Sequence, residues 1–307
     1  MARYLITGIT GFVGPHLAKL LIHEGHEVHG LIRGSNGREA DLLDVLTPEE
    51  LAEIRFHYAD LNEITSMWRH PGEFDGLFHL AAQSHPPTSF TAPVKTMQDN
   101  VVGSVNLFEV VKAEKTLFCS TSEVYGNMTG WVKEDQPFAP VNPYGASKAC
   151  IDFLAQQRGY RVTRAFSHTG PRRGYRFSIS WDAFHIARGD QLLPIGNLEA
   201  RRVVLDVRDV VKAYSLIMQK GEGVYNVCGE TVRPMSFFTD KLIEISGREI
   251  EKKVDPKLLR PVDIAYQAGD TTRLKALGWE PEIPIEQTLE DLYEYWLRKL
   301  WGTATSC

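Results

Sequence analysis

The feature that most constrains the fold is a run of three glycines, Gly8, Gly11 and Gly14, near the start of the chain. A short apolar stretch, residues 4–7, precedes the run, and leucines at helical spacing follow it up to Gly25. This order predicts a buried strand, a tight turn and a helix whose first N–H groups are free to bind an anion. Because glycine has no Cβ, the turn lets a phosphate approach the backbone. The sequence therefore predicts a dinucleotide-binding unit at the start of a parallel α/β sheet.

The residues after the second predicted strand favour NADP over NAD. This strand, residues 28–32, is followed by Arg33 and Ser35, where enzymes that use NAD usually carry a carboxylate for the ribose hydroxyls. A cation and a hydroxyl suit a 2′-phosphate instead, although a solvated arginine in a polar loop would give the same pattern. We predict NADP as the cofactor.

A second informative segment, residues 142–148, reads Asn-Pro-Tyr-Gly-Ala-Ser-Lys. Asn142 is a good helix N-cap and Pro143 fits the first helical position, so Tyr144 and Lys148 should share one helix face. The ordinary pKa of a tyrosine, about 10, is too high for a base at neutral pH. A nearby ammonium and the positive end of the helix should lower that pKa by stabilising the phenolate. We predict that Tyr144 is the acid–base group and Lys148 its cationic partner.

The same spacing recurs in Tyr295 and Lys299, so the spacing alone is weak evidence. That second pair lies in an amphipathic pattern near the end of the chain, which predicts a helix packed on the core. We therefore predict that the second pair is structural.

The first pair differs because polar residues follow the fifth predicted strand, which should end at Phe118. Ligands of open α/β sheets bind at the carboxyl ends of the strands. There Thr121 would orient the substrate oxygen on which Tyr144 acts, and Glu123 would transfer a proton at a neighbouring carbon.

The chain matches a known family from Gly8 nearly to Trp296, and five runs of residues carry this resemblance. They are Leu5-Ile6-Thr7-Gly8-Ile9-Thr10-Gly11, Val28-His29-Gly30-Leu31-Ile32-Arg33, Ala82-Gln83-Ser84-His85, Ser120-Thr121-Ser122-Glu123 and His168-Thr169-Gly170-Pro171-Arg172-Arg173-Gly174. The chain resembles extended short-chain dehydrogenases/reductases that modify nucleotide sugars, above all GDP-mannose 4,6-dehydratases. The resemblance implies an α/β fold in which a Rossmann-type doubly wound parallel sheet binds NADP and a smaller C-terminal α/β lobe binds the nucleotide sugar.

Together with the patterns above, the resemblance assigns three groups of site residues. The catalytic residues would be Thr121, Ser122, Glu123, Tyr144 and Lys148. The cofactor-binding residues would be Gly8, Thr10, Gly11, Phe12, Val13, Gly14, Arg33, Ser35, Asp60, Leu61, Leu80, Ala81, Ala82, Gln83, Tyr144, Lys148, His168 and Arg173. The substrate-binding residues would be Ser84, Thr121, Arg202 and Arg260. The two arginines would hold the diphosphate, and the alternative for each is a surface salt bridge.

Two departures from the dehydratase pattern concern activity and assembly. Residues 196–209 look more like the related GDP-4-keto-6-deoxymannose reductases, and Thr169-Gly170 replaces the Glu-Ser of the dehydratases. The loop after Arg33 is short, and in the dehydratases this loop helps to build a larger assembly. We therefore predict a homodimer, with a tetramer as the alternative.

The order of the predicted strands and helices indicates the domains, and the composition indicates which kinds of partner to expect. We predict an NADP-binding domain of residues 1–168 and 203–228 and a nucleotide-sugar-binding lobe of residues 169–202 and 229–307. The net charge of −5 gives no general attraction to nucleic acid or to a membrane surface. The four cysteines are widely spaced and no apolar stretch reaches the roughly 20 residues of a membrane helix. We predict a cytoplasmic protein without a metal, nucleic-acid or membrane partner.

The predicted activity is the conversion of GDP-mannose to GDP-4-keto-6-deoxymannose and water by an NADP-dependent 4,6-dehydratase. The alternatives are a GDP-4-keto-6-deoxymannose reductase, another nucleotide-sugar dehydratase, epimerase or decarboxylase of the same fold, and a non-catalytic NADP-binding scaffold. The sequence leaves the sugar and the nucleotide base open.

Overall fold

The computed structural model describes residues 1–34, 38–64, 72–128, 130–259 and 263–302. Two predicted site residues, Ser35 and Arg260, lie outside these ranges.

A seven-stranded sheet forms the centre of the larger part of the molecule. Its strands are β1 (Arg3–Thr7), β2 (Glu27–Ile32), β3 (Arg55–Tyr58), β4 (Phe74–His79), β5 (Ala113–Thr121), β7 (Arg161–Ala165) and β12 (Val224–Val227). They lie in the order β12-β7-β5-β4-β1-β2-β3, and every neighbouring pair is parallel. The order reverses direction between β1 and β4, which is where a doubly wound sheet opens a crevice for a ligand. The predicted Rossmann-type sheet is confirmed.

The helices lie on both faces of this sheet and in the second part of the molecule. They are α1 (Val13–His23), α2 (Pro48–Ala52), α3 (Pro86–Thr91), α4 (Pro93–Met97), α5 (Gly103–Val110), α6 (Pro143–Gln157), α7 (Ser178–Arg188), α8 (Val207–Lys220), α9 (Met235–Ser246), α10 (Thr272–Lys275) and α11 (Ile285–Trp301). Successive residues of β1 point to opposite faces, so Ile6 packs with Leu17 and Val210 while Leu5 packs with Leu107. The central strands β1, β2 and β4 are mostly buried and accordingly mostly apolar, whereas the edge strand β3 is partly exposed.

A smaller set of strands and helices forms the second part. A four-stranded sheet has the order β13 (Val232–Pro234), β10 (Arg201–Val203), β15 (Tyr266–Gly269) and β6 (Trp131–Val132). Two further pairs join β9 (Leu192–Ile195) to β14 (Glu251–Val254) and β8 (His168–Thr169) to β11 (Leu205–Asp206). Helices α7, α9 and α11 share an apolar core that includes Ile186, Phe238 and Leu289.

This arrangement confirms the smaller α/β lobe. The exact boundaries of the two domains stay a prediction, and β6 joins a sheet of the second part although its residues fall in the range predicted for the first. No helix of the described ranges is both long enough and apolar enough to cross a membrane.

One strand end differs from the prediction in a way that matters for the site. The fifth strand does not end at Phe118, because its pairing with β7 continues from Cys119, opposite Thr163, to Thr121, opposite Ala165. Thr121 is therefore the last residue of β5, and its hydroxyl accepts a hydrogen bond from the Glu123 N–H at the start of a 3₁₀ turn. The strand itself, rather than a loop, fixes the position of Thr121.

Candidate active site

One cleft of about 1030 Å³ runs along the carboxyl ends of the central strands and extends into the smaller lobe. All predicted site residues that the structure describes line it, so residues far apart in the sequence lie around one cavity. They are Gly8, Thr10, Gly11, Phe12, Val13, Gly14, Arg33, Asp60, Leu61, Leu80, Ala81, Ala82, Gln83, Ser84, Thr121, Ser122, Glu123, Tyr144, Lys148, His168, Arg173 and Arg202.

The glycine turn lies so close to its neighbours that no side chain would fit. Gly8 has a φ of +70°, and a Cβ added there would lie 2.8 Å from the Ala81 nitrogen. A Cβ on Gly14 would lie 2.5 Å from the Ile9 Cα. Because α1 begins at Val13 with no acidic residue in its first turn, its free N–H groups face no competing carboxylate of their own helix. The turn fits a diphosphate.

Four buried polar atoms of cleft-lining residues have no hydrogen-bond partner among the described residues. They are the Gln83 Oε1, the Ser120 Oγ, the Thr169 Oγ1 and the Gln267 Nε2. Buried polar groups are nearly always hydrogen-bonded, so such atoms at a cavity wall are suited to a ligand. Together with the glycine turn, they fit a dinucleotide and a polar substrate.

Two arginines lie in the segment after β2 for which the sequence predicts contact with a 2′-phosphate. Arg33 directly follows β2, and both Arg33 and Arg38 are exposed and line the cleft. Arg38 was not among the predicted site residues. The sequence could have indicated Arg38, because Arg38 follows Arg33 by five residues in the same polar segment.

The helix start predicted around Asn142 is present, and it connects two of the candidate catalytic residues. The Asn142 Oδ1 accepts a hydrogen bond of 2.7 Å from the Gly145 N–H and so caps α6. The Asn142 Nδ2 donates a bond of 2.8 Å to the Glu123 Oε2. One residue therefore caps the helix that carries Tyr144 and also holds the Glu123 carboxylate.

Burial controls the acidity of the tyrosine and the lysine. It raises the pKa of Tyr144 to about 12, while a hydrogen bond with Thr121 and the charge of Arg173 act in the lowering direction. The prediction that the Tyr144 pKa is lowered is therefore wrong for the chain by itself, because desolvation of the phenolate outweighs the favourable contacts. Burial also lowers the pKa of Lys148 to about 8, and its ammonium lies 4.2 Å from the centre of the Phe118 ring.

The run from His168 to Gly174 packs against the glycine turn. The His168 ring stacks on Phe12, with ring centres 5.8 Å apart, and burial lowers the pKa of His168 to about 4. The Arg173 guanidinium lies 4.7 Å from the centre of the Phe12 ring and 3.5 Å from that of Phe177. Arg173 therefore reaches the cleft between two aromatic rings.

In the smaller lobe, Arg202 is buried and pairs with Asp263, with 3.3 Å between Nη2 and Oδ1. The salt bridge considered as the alternative exists, but it lies in the cleft wall instead of on the open surface. Asn197 donates to the same carboxylate at 2.8 Å. Neither Asn197 nor Asp263 was predicted, because both lie in irregular connections whose course the sequence pattern does not reveal.

Asn100 is another residue that the sequence did not indicate. It lies in a π-helical turn, Gln98–Val102, and is buried. Its side chain accepts a bond from the Gln83 N–H at 2.7 Å and donates to the Gln83 carbonyl at 3.0 Å and to the Ser147 Oγ at 2.9 Å. It thus fastens the cleft-lining turn after β4 to helix α6.

Comparison with known proteins gives the family. The family model described as GDP-mannose 4,6 dehydratase matches residues 5–292. The GDP-6-deoxy-D-mannose reductase of Pseudomonas aeruginosa is 31% identical, covering 96% of this chain and 97% of the relative. The GDP-mannose 4,6-dehydratase of Vibrio cholerae is 30% identical, covering 94% of this chain and 91% of the relative. The solved structure of RMD from Pseudomonas aeruginosa complexed with NADPH superposes with a TM-score of 0.79 at 28% identity, covering 97% of this chain and 100% of that one. The chain belongs to the GDP-mannose 4,6-dehydratase family.

Proposed function

We propose that the chain is an NADP-dependent GDP-mannose 4,6-dehydratase, which forms GDP-4-keto-6-deoxymannose and water. The observation that carries this proposal is the Glu123 carboxylate, which lines the cleft and is bound by the cap of the helix that carries Tyr144. A 4,6-dehydration needs a second proton-transfer group beside the tyrosine, whereas a simple oxidation or reduction does not. The names of the relatives from Vibrio cholerae and from Homo sapiens, 30% identical in each case, support the proposal.

The residues of the chain divide the proton transfers between them. Bound NADP would accept a hydride from the sugar C4 and return it to C6, so that no net oxidation remains. Tyr144 takes the proton of the C4 hydroxyl, while the Thr121 hydroxyl, hydrogen-bonded to Tyr144, orients the same oxygen. The resulting 4-ketone makes the C5 hydrogen acidic, and Glu123 removes it as a proton. The proton that Tyr144 took from the C4 hydroxyl leaves with the C6 hydroxyl as water. Glu123 gives its proton back to C5 when C6 takes up the hydride.

We also propose NADP rather than NAD. Arg33 and Arg38 line the cleft just after β2, where they suit a 2′-phosphate through guanidinium–phosphate contacts. The Pseudomonas aeruginosa relative is described as complexed with NADPH, which supports the choice.

A reductase of the GDP-4-keto-6-deoxy sugar is the second candidate. One specific observation favours it, since the Pseudomonas aeruginosa relative at 31% identity is named a reductase. Such an enzyme needs Tyr144 and Lys148 but not Glu123, and it consumes NADPH instead of regenerating its cofactor.

One assay separates the candidates. The protein is incubated with GDP-mannose, with and without added NADPH, and the product mass is followed. A dehydratase removes one water in both cases. A reductase gives no product until a 4-keto-6-deoxy sugar is supplied, and a non-catalytic scaffold gives none at all.

The variant Glu123→Gln tests the role of the carboxylate. It should still bind NADP, but it should form the 4-keto-6-deoxy product about 10²-fold more slowly than the wild type, because the C5 proton loses its acceptor. The control is Glu114→Gln, an exposed glutamate earlier on β5. Full activity of the Glu123 variant would show that the assignment is wrong.

We further propose a homodimer in the cytoplasm. Helices α4 and α6 pack together and present exposed apolar side chains, among them Val94 at 70% and Phe153 at 59% exposure. Such a patch is typical of a surface that another chain covers. Cys119, Cys150 and Cys228 are unpaired thiols, which agrees with a reducing compartment. Light scattering of the native protein and of Phe153→Asp, expected to be monomeric, tests the dimer.

A further inference from the structure

Arg172 has a backbone conformation that is unusual for its residue type. Its φ is 73°, and in the described ranges no other residue except glycines has a positive φ. A residue with a Cβ rarely adopts this left-handed conformation because the Cβ approaches the backbone. The fold therefore holds Arg172 against its local preference, and its side-chain contacts show what this conformation achieves.

The Arg172 guanidinium binds two segments that line the cleft. It donates hydrogen bonds to the carbonyl oxygens of Gly11 and, at 3.1 Å, of Thr10, both in the glycine turn. It also donates to the carbonyl oxygen of Asp41 at 3.0 Å, in the 3₁₀ helix that begins with Arg38. A planar group with five donors can serve several acceptors at once. Arg172 thus joins the glycine turn to the segment that carries Arg38.

Asp44 extends this contact to the C-terminal helix. Its Oδ2 lies 3.7 Å from the Arg172 Nε and accepts a hydrogen bond of 3.2 Å from the Tyr295 hydroxyl. Its Oδ1 lies 2.6 Å from the Lys299 Nζ. Burial and the charge of Asp44 raise the pKa of Tyr295, so its hydroxyl stays protonated and can donate. The second tyrosine–lysine pair therefore binds the carboxylate that also binds Arg172.

We propose that Arg172 is a positioning residue for the cofactor, and that Asp44, Tyr295 and Lys299 make the C-terminal helix part of the same support. Binding to a loop is more favourable when the loop is already held in its bound shape, because less freedom is lost. The support therefore raises the affinity for the cofactor and leaves the reacting atoms untouched. This inference rests on the proposed function in one respect, that the glycine turn binds a nicotinamide dinucleotide.

The test measures the Kd for NADPH by fluorescence titration of the full chain and of two variants. Arg172→Gly relieves the backbone, since glycine adopts a φ of 73° freely, and this gain offsets part of the stability lost with the hydrogen bonds, so the variant should still fold, which thermal melting checks. It loses the bonds to the glycine turn, and its Kd should rise about tenfold or more. Its kcat at saturating cofactor should stay within about twofold, since no group that touches the substrate has changed. Arg172→Lys keeps the charge but lacks the planar fork that reaches the separate carbonyl groups, so its Kd should lie between those of the wild type and Arg172→Gly.

The C-terminal helix is tested by a second substitution. Lys299→Ala should raise the Kd about two- to threefold in the wild type, as for a partly exposed ion pair, and have no effect in Arg172→Gly. Arg298→Ala is the matched control, because Arg298 pairs with Glu294 of the same helix, at 3.5 Å, away from Asp44.

Each outcome bears on a separate part of the proposal. A wild-type Kd in Arg172→Gly, or in Arg172→Lys if the glycine variant does not fold, would overturn the role of Arg172. An equal effect of Lys299→Ala in both backgrounds would overturn the connection through Asp44. A wild-type chain that binds no nicotinamide cofactor would contradict the proposed function itself, and this inference with it.

Discussion

The two tyrosine–lysine pairs have the same spacing but opposite surroundings. Tyr144 and Lys148 line the cleft on helix α6, whereas Tyr295 and Lys299 lie on α11 and contact Asp44. The spacing places both side chains on one helix face in each case. What differs is where that face lies relative to the carboxyl edge of the sheet, and this position separates a candidate catalytic pair from a supporting one.

The two tyrosines also differ in the groups that shift their pKa values. Burial raises the pKa of both tyrosines, but the hydrogen bond from Thr121 and the charge of Arg173 lower that of Tyr144, whereas the charge of Asp44 raises that of Tyr295 further. After burial, the strongest influence on Tyr144 therefore stabilises a phenolate, whereas the strongest influence on Tyr295 stabilises the protonated hydroxyl. A hydrogen-bonded carboxylate suits a permanent donor, and a hydrogen-bonded hydroxyl suits a base.

The largest contrast is expected between Tyr144→Phe and Tyr295→Phe. The first should lose about 10³-fold in product formation, since general acid–base catalysis is typically worth 10² to 10⁴. The second should keep its kcat. Mass spectrometry of the product measures both, and thermal melting confirms that both variants are folded. If Tyr295→Phe lost as much activity as Tyr144→Phe, the division between the pairs would be wrong.

A smaller effect is expected from Thr121→Val, which removes the hydrogen bond but keeps the shape of the side chain. That bond acts to lower the Tyr144 pKa, so its loss raises the pKa and leaves less phenolate at a given pH. Activity should fall about 10²-fold at pH 7, as for the loss of one catalytic hydrogen bond. The rising limb of kcat against pH should move to higher pH. An unchanged pH profile would show that Thr121 does not act through Tyr144.

The smallest effect is expected from Asn142→Ser. Serine is also a good N-cap, so α6 should persist, but the donor to Glu123 at 2.8 Å is lost. Product formation should fall about tenfold, the size of one hydrogen bond to a charged group, with an unchanged melting temperature.

As a control, Asn142→Ala also loses the cap and should cost about 1 kcal/mol of the free energy of unfolding. Helix α11 has no side-chain cap at Pro284, so the second pair offers no equivalent site. Full dehydratase activity in Asn142→Ser would argue against a positioned Glu123.

Much of the fold was predictable because its signals are local. The glycine turn, the end of α1 before Gly25 and the start of α6 at Asn142 each depend on residues that are neighbours in the sequence. The end of β5 was not predictable in the same way, since its last residues pair with β7 about forty positions later. The polar residues 119–121 look like a loop when they are seen alone.

The site was predictable where the motif residues themselves line it. The glycine turn, Glu123 and Lys148 all line the cleft, as expected. Asn197 and Asp263 were missed because they meet only through the folding of irregular segments. The direction of the Tyr144 pKa was also missed, since burial is a property of the packed chain and a helix motif contains no measure of it.

The sequence by itself determined the parallel sheet, the glycine turn and most of the motif residues that line the cleft, because strand periodicity, helix caps and glycine requirements act over a few residues. Only the tertiary structure decided which of two identical spacings reaches the cleft and which is held by Asp44. It also decided that Arg172 connects the glycine turn to the segment of Asp41 and Asp44. These are contacts between residues more than a hundred positions apart, and only the packed chain brings their charges and hydrogen-bonding groups within reach of one another.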